Sequence, residues 1–108
     1  MSNLNDIITM TERENAQITW CKCCRTYSLV YNNCAISFTE SEIEQFMNML
    51  QNLRAYDFNY DFCGKQQVIL KNNTTHMGIC LTEENVVELK DIINEALAVD
   101  EVFRIIYD

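Results

Sequence analysis

The chain has 108 residues, 48% of them hydrophobic and 22% charged, which suffices for one apolar core and no second one. Its eight basic and sixteen acidic side chains leave a net charge of −8, which opposes phosphate backbones and anionic lipid surfaces. The expected partners are therefore neither nucleic acid nor membrane, but a protein, with a homodimer as one form. The opening residues lack the basic stretch and apolar run of a secretory signal, so the expected location is cytoplasmic. In that compartment the six cysteines read as reduced thiols and not as a disulfide scaffold. With no proline and only two glycines, left-handed turn positions must fall largely to asparagine and aspartate.

Taken in chain order, Ile7 to Thr11 suggests a first strand, and Ile18 with Trp20 a second one leading into Cys21. Tyr27, Leu29 and Tyr31 then alternate with Ser28 and Asn32, the pair Asn32-Asn33 supplies a turn, and Ile36 and Phe38 resume the alternation. That is a hairpin signature. Thr39 sits where a helix N-cap belongs, with Glu42 three residues on as a capping box and Phe38 and Ile43 as a hydrophobic staple. Ile43, Phe46, Met47 and Leu50 follow the helical spacing. Tyr56, Phe58, Tyr60 and Phe62 alternate with Asp57, Asn59 and Asp61, a period of two that predicts a strand with one aromatic face packed into the core. Ile69 to Asn73 and Ile79 to Leu81 predict another hairpin, and Thr82 a second cap stapled by Leu81 and Val86. Asn85 stands where a capping box would carry its acid, while Glu83 and Glu84 place negative charge at the positive end of the helix dipole. Val86, Leu89, Ile93, Ala96 and Leu97 continue the second helix, and 102–107 reads either as a last strand or as its extension.

The two halves match. Ile36-Ser37-Phe38-Thr39-Glu40 lies over Ile79-Cys80-Leu81-Thr82-Glu83 at an offset of 43, and Leu29 to Asn33 over Ile69 to Asn73 at an offset of 40. The second copy thus carries a three-residue insertion just after its Asn pair, where a turn accommodates it. The expected architecture is α+β: a two-layer antiparallel sheet with two amphipathic helices on one face, from two strand-strand-helix repeats. One domain spans 1–108, with copies at about 16–54 and 56–97.

The run Trp20-Cys21-Lys22-Cys23-Cys24-Arg25-Thr26-Tyr27, continuing through Asn32-Asn33 to Ile36, Phe38, Thr39 and Phe46, resembles a family of short, uncharacterised bacterial proteins of unknown function. Their pattern is C-x-x-C, an aromatic three residues later, a strand, an Asn turn, a strand and a Thr-capped helix. Cys21, Cys24 and Tyr27 take the cysteine and aromatic positions, and Cys23 is an addition to the pattern. The resemblance implies a fold and no catalytic residues.

The residues offer one sharp chemical feature. C-x-x-C on a tight turn aims two sulfurs at one tetrahedral ion such as zinc, but a complete site needs four ligands, and no second C-x-x-C exists. The candidate metal residues are Cys21, Cys24 and, as third ligand, Cys63, which lies beside Gly64 at the turn corresponding to the cysteine turn. Inert thiols are the competing reading, and the expected cofactor is none, with zinc as the exception. Redox work would require a helix after the motif, where a strand follows. His76 sits in the inserted turn as a solvated loop residue, and Asp57 and Asp61 lack the dense oxygen ligands of a calcium or magnesium site. Neither a Gly-rich phosphate loop nor a Ser/His/Asp arrangement is present. The expected function is a small noncatalytic interaction or regulatory module, not an enzyme; the alternative is a zinc-binding or thiol-based domain centred on the Cys21/Cys24 hairpin.

Overall fold

A computed structural model describes residues 6–72 and 77–107, with side chains outside 72 and 103–107. Among these residues seven strands and two α-helices follow one another: β1 (Ile7–Arg13), β2 (Ala16–Cys21), β3 (Thr26–Tyr31), β4 (Cys34–Phe38), α1 (Glu40–Gln51), β5 (Tyr60–Phe62), β6 (Lys65–Asn72), β7 (Met77–Thr82) and α2 (Glu83–Tyr107). All strand pairs are antiparallel, and the architecture is α+β. The strands form not one sheet but two, β1-β2-β3-β4 and β5-β6-β7. The chain leaves β4 through α1 and re-enters at β5, which pairs only with β6.

Alternation decides which face of the first sheet is buried. Trp20, Tyr27 and Phe38 lie abreast in register, as do Ile18, Leu29 and Ile36, and this face packs into one core with Ile43, Met47 and Leu50 of α1 and Val86, Leu89, Ile92, Ile93 and Ala96 of α2. Trp20 and Tyr27 hold ring centroids 4.6 Å apart, a tilted aromatic contact. A bulge between Thr9 and Thr11 lets the adjacent residues Met10 and Thr11 both turn inward. The buried Thr11 hydroxyl donates to Glu95 Oε1 of α2 at 2.8 Å, and Arg13 Nη2 donates to Glu95 Oε2 at 2.9 Å. Arg13 and Thr11 hold the Glu95 carboxyl below its ordinary pKa, in that order of effect. Val68, Leu81, Leu70 and Ile79, on one face of the second sheet, join the same core.

Both caps form. Thr39 Oγ1 accepts from the Glu42 backbone N–H at 3.2 Å while Glu42 Oε1 accepts from the Thr39 N–H at 2.8 Å, a complete capping box. At α2, Asn85 does the acid's work: its Oδ1 accepts from the Thr82 N–H at 3.0 Å, and its own N–H donates to Thr82 Oγ1 at 3.1 Å. Its Nδ2 donates at 2.9 Å to the Tyr31 hydroxyl of β3, a donor role that an ionised glutamate does not have. The amide thereby caps α2 and ties it to the first sheet.

Two expectations fail. The aromatic alternation from Tyr56 to Phe62 is a strand only over Tyr60–Phe62; Ala55–Asp57 forms a 3-10 turn. Asp57 folds back so that its Oδ2 accepts from the Arg54 N–H at 2.7 Å, a local side-chain bond that competes with extension. Nor does the aromatic row enter the core: Phe58 is buried, but Tyr56, Tyr60 and Phe62 are 77%, 45% and 57% exposed. At the other end the choice left open over 102–107 resolves to the extension of α2, since neither Gly nor Pro interrupts the helix from Glu83 onward.

Candidate functional site

The cysteine hairpin joins β2 to β3 through the four residues Lys22 to Arg25, closed by the pair Cys21 and Thr26. The Arg25 N–H donates to the Cys21 carbonyl at 2.8 Å, and the Lys22 N–H to the Asp6 carbonyl at 2.8 Å. Arg25 has φ 56°, the left-handed region that an arginine enters only at a steric cost. This conformation carries the chain from Cys24 back into β3. Inside the turn the Cys24 N–H donates to Cys21 Sγ at 3.3 Å. Cys21 is half-buried at the end of β2, while Cys23 and Cys24 are exposed. Hydrogen bonding to Cys21, and then the charge on Cys21, push the Cys24 thiol above its ordinary pKa; two neighbouring thiolates repel, so the second proton is held longer. Lys22 and Arg25 bring positive charge to this tip, and Arg25 Nη2 reaches Glu40 Oε1 at 3.1 Å.

Cys63 lies at a different place in the fold. It and Gly64 form a two-residue turn between β5 and β6 with φ of 54° and 78°, the paired left-handed geometry of a tight hairpin. Cys63 thus fills a position that usually suits Asn or Gly. Among the described residues no group of three or more His, Cys, Asp or Glu side chains could hold a metal ion, so one chain brings Cys21 and Cys24 together without Cys63. None of the six cysteines is in a disulfide. Cys34 is half-buried at the start of β4, and Cys80 is exposed on β7. His76 lies outside the described residues.

A feature that sequence reading placed in the core is on the surface instead. On the second sheet the pairs Phe62 and Lys65, Tyr60 and Gln67, Ile69 and Cys80, and Lys71 and Gly78 stand opposite one another. Period-two alternation puts all of these on the face away from the core residues Val68 and Leu81. This outer face carries two exposed aromatic rings and both lysines of β6, which are exposed as well. Gln67, on the same face, is buried and donates through Nε2 to the Phe62 carbonyl at 3.3 Å.

A groove of about 440 Å³ lies between the helices, lined by Tyr27, Ile43, Leu97 and the acidic side chains Glu40, Glu44, Asp100 and Glu101. Its carboxylates oppose anionic substrates. The groups with shifted pKa, Arg13, Cys24, Tyr31 and Glu95, lie on β1, the cysteine turn, β3 and α2, with Arg13 and Glu95 paired across elements, and none lines this groove. Among the described residues no helix is long and apolar enough to cross a membrane.

Residues 1–105 match the family of unknown function DUF6686. The chain belongs to that family. The match spans the cysteine hairpin, both sheets and nearly all of α2. No curated protein and no solved structure matches the chain. Family membership assigns no catalytic or specific role.

Proposed function

We propose that this member of DUF6686 is a noncatalytic interaction module whose outer face on the β5-β6-β7 sheet receives an acidic segment of a partner protein that carries aromatic or aliphatic side chains. The observation that carries this reading is the pairing of exposed Tyr60 and Phe62 with Lys65 and Lys71 on one face. Exposed aromatics supply contact area at low entropic cost, and lysines beside them select for negative charge. In a chain of net charge −8 two cations on one small apolar face stand against the general field, which supports an acidic occupant for that face alone. The same net charge speaks against a nucleic acid partner.

The test is a titration of the full chain with a short synthetic peptide alternating glutamate and phenylalanine, followed by backbone amide chemical shifts. Salt-sensitive shifts centred on Tyr60, Phe62, Lys65 and Ile69, and lost in Lys65→Glu, are the expected result. Equal binding of a peptide alternating lysine and phenylalanine, or shifts centred elsewhere, would overturn the reading.

A further inference from the structure

The cysteine hairpin is separate from that face and points to a different chemistry. We propose that Cys21 and Cys24 form half of a tetrathiolate site for a divalent, thiol-seeking cation of the zinc type, completed by Cys21 and Cys24 of a second copy of this chain.

Three features of the turn carry the inference. The Cys24 N–H already points at Cys21 Sγ at 3.3 Å, the kind of backbone donor that steadies a thiolate bound to a metal. Arg25, directly after the second cysteine, holds φ 56°, and strain of this sort in a non-glycine residue persists where the surroundings require it. That conformation closes the turn through the 2.8 Å bond from the Arg25 N–H to the Cys21 carbonyl, keeping both cysteines at one tip.

One chain supplies only this pair, because no third His, Cys, Asp or Glu among the described residues joins it. A zinc-type ion takes four ligands, so the other two come from outside. A second copy is the simplest source, since a two-fold contact repeats the same surface patch on both sides. Charge favours contact at this place. Two copies with a net charge of −8 each repel over most of their surfaces, but each tip carries Lys22 directly after Cys21, beside an Arg25 already neutralised by Glu40, so two lysine charges lie next to a site that holds two negative charges once the ion is bound. On binding, the four S–H groups lose their protons to the buffer and four metal–sulfur bonds form, so affinity rises with pH.

The test uses the reduced full chain titrated with Co²⁺ as a spectroscopic stand-in for zinc, with mass measured by sedimentation. The expected result is about one ion per two chains, the visible and near-ultraviolet absorption of a tetrahedral thiolate site, and a doubling of mass that chelator reverses. Cys21→Ser and Cys24→Ser should abolish the spectrum and the dimer, whereas Cys23→Ser and Cys63→Ser should leave both; circular dichroism checks that each variant is folded. Absence of bound Co²⁺, one ion per chain without a change of mass, or loss of the signal in Cys63→Ser would overturn the proposal.

Discussion

The solvent faces of the two sheets differ in kind. On the first sheet Thr19, Ser28 and Ser37 stand in a row across three strands, with Gln17, Val30 and Ala35 in the next, mostly small or polar side chains that water accepts. On the second sheet the corresponding surface carries Tyr60, Phe62, Ile69, Lys65 and Lys71. Both faces belong to antiparallel sheets whose other face is packed, so fold stability places the same demand on each. Large rings kept in water are not required by that demand. The contrast separates residues that hold the domain together from residues left to be met by something else.

The largest expected effect checks the structural side of the contrast. Ile43 is fully buried between α1 and the core, and Ile43→Ala should cost about 2–5 kcal/mol in urea unfolding, the range for truncating a buried aliphatic side chain. Phe46, which is only half-buried against Phe38 with ring centroids 5.1 Å apart, should cost less than Ile43 when truncated. A reversed order would mean that α1 is rotated about its axis.

A smaller effect is expected at the second helix cap. Asn85→Ala removes both the capping contact and the bond to Tyr31 and should destabilise by about 1–2 kcal/mol. Asn85→Glu keeps a capping acceptor and loses the amide donor to Tyr31, so its thermal midpoint should fall between those of the parent chain and Asn85→Ala. If glutamate matched or exceeded asparagine, the tie between α2 and β3 would add nothing.

Much of this was legible in the sequence, for physical reasons that differ by region. Thr39, Glu42, Phe38 and Ile43 form a local signal whose partners lie within a few residues, and each of the four holds its expected place. Asn32 takes φ 52° as the expected turn residue. Asn85 was read as a missing acid because its second partner, Tyr31, lies 54 positions away and no periodicity reveals such a contact. The division into two sheets was hidden for a similar reason, since strand pairing is decided by edges that a one-dimensional pattern does not show. The row Tyr56 to Phe62 misled because alternation specifies a two-faced strand but not which face is covered. Of the site, the Cys21/Cys24 turn was visible from its spacing, whereas the lysine–aromatic face emerged only when β5 and β6 were set in register.

The claim that Tyr60 and Phe62 serve contact and not the fold is tested most directly by the unfolding free energy of the Tyr60→Ser/Phe62→Ser double variant. The two rings are 45% and 57% exposed, and the predicted loss is below about 1 kcal/mol, as for surface substitutions away from the core. A loss of about 3 kcal/mol or more, the cost of truncating buried aromatics, would show that these rings hold the second sheet together and would contradict the account.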